Sequence, residues 1–459
     1  MTDAAAVLLA ALGPDLVRTG DAIPERNHND KTGLPALAPR ALVLPRTTAD
    51  VSRALKICHD FGQPVVTQGG MTGLAGGAIP GLGEIAVSLE RMSGIEEIDA
   101  SAATLTALAG TPLQTVQAAA ADAGFFCGID LGARGSCTIG GNIATNAGGN
   151  QVLRYGMARR NVLGLEAVLA DGTVLTSLNK MLKNNTGYDW PQLIAGSEGT
   201  LGIITRAVIM LHPKPEGVQC ALLAVDTFDD ALKTLRALER GLPGGLITFE
   251  GMWSEFYKTA IGPGGVPAPF PPDHDLMLLI EAAMGGGEGG AERFETLLAG
   301  LYEQRLVKNA VVAKSQGERA KLWALRESPY DYTKFMPQPV SFDISIPLSR
   351  MSEAVALLRQ RFAARWPDVF QAYFGHIADS NLHVVAHVPG QGFDAKKEIE
   401  KILYGTVKEL GGSISAEHGI GRAKRDFLSY SRSPAELAVM SSIKKALDPK
   451  GILNPGRVL

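Results

Sequence analysis

The twenty residues 130–149, DLGARGSCTIGGNIATNAGG, constrain this chain more than any other segment. They interleave glycines with small hydroxyl and amide side chains and include almost no bulky group, so the surface they form lies flat against a ligand's backbone. An earlier loop has the same character. A short apolar, β-branched stretch at 63–67 reads as a strand and runs straight into Gln68-Gly-Gly-Met-Thr-Gly-Leu-Ala-Gly-Gly77. A glycine-rich turn after a strand lets backbone N–H groups converge without Cβ obstruction, and such a nest holds a pyrophosphate. Gly69, Gly70, Thr72 and Gly73 are the natural donors. The GxGxxG fingerprint is missing, which argues against a nicotinamide-binding Rossmann domain. Taken alone, the first loop is equally consistent with a simple chain reversal, and the second tilts the reading toward a ligand cradle.

With 459 residues the chain exceeds one hydrophobic core and implies about two to four domains. Its formal charge of −3 leaves no broad cationic surface for nucleic acid or anionic lipid, so a bound anion must sit in a local pocket. Cys58, Cys127, Cys137 and Cys220 form neither a CxxC pair nor a dense disulfide framework, which fits a reducing compartment. Residues 4–12 are apolar but follow Asp3 instead of a basic region, and read as a short helix. No run approaches the ~18 apolar residues that span a bilayer. The expected location is the cytoplasm, with peripheral membrane association left open.

The segment Thr48–Phe61 has a capping threonine and an apolar face of Val51, Leu55 and Cys58, and it stops at Gly62. Thr111-Pro112 opens a second helix carrying Leu113, Val116 and Ala120 that ends near Gly124. Strands, helices and two glycine loops therefore mix over residues 1–215, an α+β pattern. Beyond Pro213 and Pro215 the texture changes: strand 220–225, helix 228–240, strands 246–250 and 276–281, helix 291–306, strand 309–313, strand 340–347, helix 349–362, and strands near 371–374 and 382–388. Such an alternation over 216–412 suggests a ferredoxin-like cap. Residues 262–272, rich in Gly and Pro, read as loop, and 413–459 as a helical terminal segment.

Four of the eight histidines, His376, His383, His387 and His418, fall close together, and Glu417 adjoins the last. An Ala-Asp-Ser-Asn turn between His376 and His383 would fold a hairpin that brings both imidazoles together. Two imidazoles and a carboxylate suit Zn²⁺, with Mn²⁺ or Fe²⁺ as alternatives. Spacing alone gives equal weight to separate structural histidines.

Four motifs in order, the 68–77 loop, GGNIATNAGG at 140–149, GSEGTLGIIT at 196–205 and LDPKGILNPG at 447–456, carry a resemblance over essentially the whole chain. They resemble FAD-binding proteins of the vanillyl-alcohol oxidase / p-cresol methylhydroxylase type, and within them the D-lactate and D-2-hydroxyglutarate dehydrogenases. The resemblance implies a two-part FAD-binding domain, a ferredoxin-like α+β cap and a helical C-terminal segment that returns to the FAD domain. It implies that Gln68, Gly69, Gly70, Met71, Thr72 and Gly73 hold the FAD pyrophosphate. Ser136, Thr138, Gly141, Asn142, Thr145 and Gly148 would line the adenine, ribitol and ring, and Glu198, Ile203 and Asn454 complete the site. Relatives with covalent FAD often carry a histidine after the paired glycines. Here Met71 stands there, so non-covalent FAD is expected.

The same resemblance implies His376, His383 and Glu417 as metal ligands and His418 as base, an imidazole titrating near pH ~6.5 when isolated. His387 has no role in the family and reads as structural. Arg326, in Leu-Trp-Ala-Leu-Arg-Glu, matches the substrate arginine, with Tyr330 and Lys334 as candidates to supplement it. The expected reaction oxidises a D-2-hydroxy acid to its 2-keto acid: the cation engages the 2-hydroxyl and carboxylate, His418 removes the hydroxyl proton, and hydride passes to flavin N5. The chain departs from the hydroxyglutarate enzymes at Ser341, where they resemble a lysine, at Tyr330 in place of threonine, and at Val385 in place of asparagine. A smaller acid such as D-lactate is therefore as open as a dicarboxylate. An electron-transfer flavoprotein, a quinone or a cytochrome would each serve as acceptor, and a homodimer is a reasonable assembly. A metal hydrolase would leave the glycine loops unexplained, and the intact ligand set speaks against a non-catalytic FAD-binding subunit.

Overall fold

Thr47 opens the first long helix, Thr48–Phe61: its hydroxyl accepts from the Asp50 amide while the Asp50 carboxylate accepts from the Thr47 amide. Val51, Ala54, Leu55 and Cys58 are buried, and Gly62 stops the helix at φ 62°. The chain then reverses into the strand Val65–Gln68. This computed structural model describes residues 3–459, except for the side chain of Tyr330. The chain divides into two compact units. The first comprises residues up to 149, 155–214 and those from 417 onward, and the second comprises 150–154 and 215–416.

Two sheets build the first unit. In one, Ala41–Val43, Ile85–Ser88 and Val65–Gln68 pair in parallel, with the short strand Val17–Arg18 antiparallel at the edge. The glycine loop therefore leaves the carboxyl end of a parallel strand, where ligands bind in open α/β sheets. The other sheet is antiparallel, in the order Ile95–Asp99, Thr104–Leu108, Ile203–Pro213, Val162–Val168, Val174–Ser177, with Phe125–Cys127 pairing the far end of Ile203–Pro213. One core joins the sheets through fully buried Leu55, Val65, Ile85, Leu105, Ile139, Leu165 and Ile209.

The last residues are less helical than their composition suggests. The only α-helix after 413 among the described residues is Pro434–Leu447. Buried Asp448 then takes the amides of Ile452 (3.0 Å) and Leu453 (2.8 Å), and this turns the chain so that the Ile452 carbonyl accepts from the Val65 amide at 2.7 Å. Side-chain capping of backbone amides by an aspartate competes directly with helix propagation.

The second unit is one antiparallel sheet of seven strands: Asn309–Val312, Val218–Val225, Leu276–Ala283, Leu246–Trp253, Phe370–Gly375, Asn381–His387, Val340–Ser345. Its first four strands in chain order lie fourth, first, third, second across the sheet, the ferredoxin-like arrangement, with the helix Ser254–Ile261 added between the second and third of them. Helices Ser254–Ile261 and Gln316–Glu327 cover the face that carries Leu222, Leu279, Met252 and Phe374. On the opposite face Phe342 meets Tyr404 edge-on. Among the described residues no helix is long and apolar enough to cross a membrane, and all four cysteines are buried outside any disulfide.

Candidate active site

Gln68 is fully buried and ties the two ends of its loop together. Its Nε2 donates to the carbonyls of Ala78 (3.0 Å) and Asn27 (2.9 Å), and its Oε1 accepts from Asn27 Nδ2 (2.9 Å). The loop so held presents four consecutive amides, Gly70 to Gly73, that find no hydrogen-bond partner among the described residues. Met71 lies at φ 57°, the left-handed turn that lets successive N–H groups converge. Segment 136–138 forms the facing wall. A Cβ on Gly70 would collide with the Ser136 carbonyl, and one on Gly69 would lie 2.6 Å from Thr138 Oγ1. Thr138 precedes the short helix Ile139–Ala144, and its buried Oγ1 has no partner among the described residues. Gly141 abuts that hydroxyl, Gly148 and Asn142 are buried, Thr145 turns its hydroxyl back to the Gly141 carbonyl (3.1 Å), and Ser136 stays exposed.

The remaining residues expected around the cofactor hold the walls of this cradle to one another. Asn454, at φ 43°, accepts from the Thr67 amide (2.8 Å) and donates to the Glu198 carbonyl (2.7 Å). The Glu198 carboxylate takes the amides of Ile420 (2.7 Å) and Gly421 (2.8 Å). Burial pushes its carboxyl above the usual range, against the pull of those two amides and of Lys424. Ile203 is fully buried in the sheet opposite Val168.

In the second unit, the hairpin between His376 and His383 closes at Gly375. This residue has φ 153° and packs so tightly that a Cβ would lie 2.6 Å from the Asn381 carbonyl. The expected turn is a single 3-10 turn, Ile377–Asp379, with Ser380 at φ 74°. The two imidazoles come together, ring centroids 5.5 Å apart and nearly perpendicular at 79°. Asp343, 1% exposed, sits opposite His383 in register with Oδ1 3.9 Å from its Nδ1, and also accepts from Asn381 Nδ2 (2.6 Å). Glu250, equally buried, accepts from His376 Nδ1 through one oxygen (2.5 Å) and from Arg326 Nε through the other (2.7 Å). Burial alone would raise Glu250, but the charges and hydrogen bonds of His376 and Arg326 hold its carboxyl at about 2. Burial does prevail at Asp379, pushing it up to about 6.

The other expected residues are placed as follows. Lys334 is ion-paired to Asp331 (2.7 Å) with its side chain 71% exposed, whereas Arg326 is buried. The side chain of Tyr330 lies outside the described residues. His387 is half-buried on the His383 face of its strand. Glu417 and His418 follow directly on Ala416, the last residue of the second unit, whose amide donates to Asp343 Oδ2 (3.2 Å). Two residues beyond His418, at the Ile420 amide, the first unit's Glu198 bonds begin.

Residues 214–458 match the family of FAD linked oxidases, C-terminal domain, and residues 39–177 match the FAD binding domain family. The chain belongs to the FAD-linked oxidases. It is 39% identical to the mitochondrial D-2-hydroxyglutarate dehydrogenase of Bos taurus over 92% of this chain and 77% of that one. With the D-2-hydroxyglutarate dehydrogenase of Xanthomonas citri pv. viticola it shares 36% identity over 100% of this chain and 97% of that one. Among solved structures, p-cresol methylhydroxylase shares the fold at a TM-score of 0.77 and 17% identity, covering 99% of this chain and 96% of that one.

The cradle of this FAD-linked oxidase fits the cofactor: four unpartnered amides suit a pyrophosphate, and two glycines let the facing wall approach without Cβ atoms. Gly70→Ala is expected to force that wall apart at about 1–3 kcal/mol and to lower the flavin content of the purified protein, measured as the ratio of visible to ultraviolet absorbance. Two acids of the oxidase went unread in its sequence, Glu250 and Asp343. Each is a lone carboxylate inside a strand, LITFEGMW fully buried and VSFDIS largely so, and that was the available signal, since buried charges are almost always paired.

Proposed function

We propose that this oxidase is a metal-assisted dehydrogenase of D-2-hydroxy acids, of the D-2-hydroxyglutarate or D-lactate type, converting the C2 hydroxyl to a ketone. The observation that carries the reading is the Arg326 fork. Its Nε is held by Glu250, its two terminal nitrogens donate no hydrogen bond to the described residues, and Glu250 also holds His376, which faces His383. A planar fork with both ends available matches a carboxylate, and paired imidazoles with a nearby acid match a divalent cation. Relatives carrying the name D-2-hydroxyglutarate dehydrogenase support the substrate class.

In this reading His376, His383 and Glu417 hold the cation, zinc before manganese or iron, and FAD is held without a covalent bond. When bound, FAD supplies the two-electron oxidant and the cation a Lewis acid. Arg326 fixes the substrate carboxylate and thereby the face of C2 that is presented. His418 accepts the hydroxyl proton on a ring nitrogen, a role suited to an imidazole near neutral pH. Ser341 and Val385 lie opposite each other in register, two cross-strand pairs along from Asp343 and His383 and so on the same sheet face. Neither offers a cation to a second carboxylate, which favours the smaller acid, whereas the names of the relatives favour the larger.

A panel of D-2-hydroxyglutarate, D-lactate, D-malate and D-2-hydroxybutyrate, each tested for reduction of an artificial dye, decides between them. Turnover of at least one D-acid in clear preference to its L-enantiomer is expected. A protein that turns over none of the four contradicts the reading.

A further inference from the structure

We propose that Glu250 is a positioning residue that sets both halves of this site, orienting the metal ligand His376 and the substrate arginine Arg326 through one carboxylate. The proposal rests on the reading of the site given above. Glu250 occupies a strand of eight residues that are all buried, and the pairing of Gly251 with Gly375 places it beside His376. Its two oxygens are used separately, Oε1 by His376 Nδ1 at 2.5 Å and Oε2 by Arg326 Nε at 2.7 Å.

Each bond leaves its partner with one defined function. An imidazole that donates from Nδ1 keeps its lone pair on Nε2, the nitrogen then able to ligate a cation. A guanidinium held at Nε keeps both terminal nitrogens for a carboxylate. The plane of Arg326 is fixed further by the Phe374 ring, 4.7 Å below its central carbon, and Phe374 lies against His383 with ring centroids 5.0 Å apart. Only a carboxylate accepts from both partners at once. A glutamine has one acceptor oxygen, and its amide nitrogen would face a second donor.

A second buried glutamate on the same sheet face separates this role from simple anchoring. Glu281 is 3% exposed and holds Arg319 and Trp323 Nε1 (2.7 Å), both on the helix Gln316–Glu327 that also carries Arg326. Among the described residues no histidine bonds to Glu281, so it ties helix to sheet without reaching a metal ligand. Glu281→Gln is therefore the natural control for a loss of helix anchoring.

The test uses the flavin-loaded protein, stripped of divalent metal and titrated with Zn²⁺ against a competing chelator, together with the KM for D-2-hydroxyglutarate. Glu250→Gln is expected to keep its flavin spectrum, to lose roughly 10–100-fold in zinc affinity, and to raise KM by about tenfold. Glu281→Gln should move neither. Glu250→Asp, which keeps the charge on a shorter stem, should fall between wild type and Glu250→Gln, and it decides the matter if the glutamine variant fails to hold flavin. Zinc affinity within about twofold of wild type in these Glu250 variants, alongside a His376→Ala protein that has lost zinc, overturns the proposal. Zinc retained at wild-type affinity by His376→Ala instead overturns the underlying reading of the metal site.

Discussion

Replacing His418 by alanine is expected to leave the protein yellow while slowing flavin reduction by a D-2-hydroxy acid about 10²–10⁴-fold, the range a positioned general base contributes. The two halves of that result have separate causes. The cradle is held by Gln68, Asn454 and the Glu198 carboxylate, and Glu198 acts on the backbone of Ile420 and Gly421, so deleting an imidazole at 418 leaves those bonds intact. The proton on the substrate hydroxyl, by contrast, loses its acceptor. Rapid mixing under anaerobic conditions measures the rate directly, and partial recovery with added imidazole would show that the missing base is the cause. An undiminished rate would remove His418 from the mechanism.

Exhaustive chelation is expected to have an effect of similar size. A Lewis acid on the reacting oxygen contributes several kcal/mol to such reactions, so turnover should fall by a factor on the order of 10³ and return on adding Zn²⁺, Mn²⁺ or Fe²⁺. Flavin content should not change, because the four loop amides and the wall at 136–138 involve neither His376 nor His383. Steady-state turnover against bound metal, measured in one preparation, checks this. Full activity in protein shown to be metal-free would leave the imidazole pair with a purely structural role.

Much of the fold was legible because short-range chemistry fixes it. The bounds of Thr48–Phe61 follow from a threonine with an aspartate three residues on and from a glycine at the end, all local signals. The alternation of strands and helices after Pro215 likewise shows in hydrophobic period alone. The limits lie where a residue's partner is distant in sequence. The strand expected to end at Glu250 continues to Trp253, because His376 and Arg326, 126 and 76 residues away, balance a charge that would otherwise break it. The resemblance implies Asn454 and Glu198 as cofactor contacts, and the structure shows their side chains bonded to Thr67, Ile420 and Gly421, partners distant in sequence. The pairing of Asp343 with His383, and of Ser341 with Val385, depends on strand register, which one sequence does not display.

The most direct measurement is an anaerobic titration of the purified protein's visible absorbance with D-2-hydroxyglutarate and, separately, D-lactate. The oxidised flavin bands are expected to bleach with one of these acids, and one molecule of 2-keto acid to appear for each FAD reduced. A flavin that stays fully oxidised in the presence of both acids, in protein carrying its full complement of FAD and metal, would contradict it.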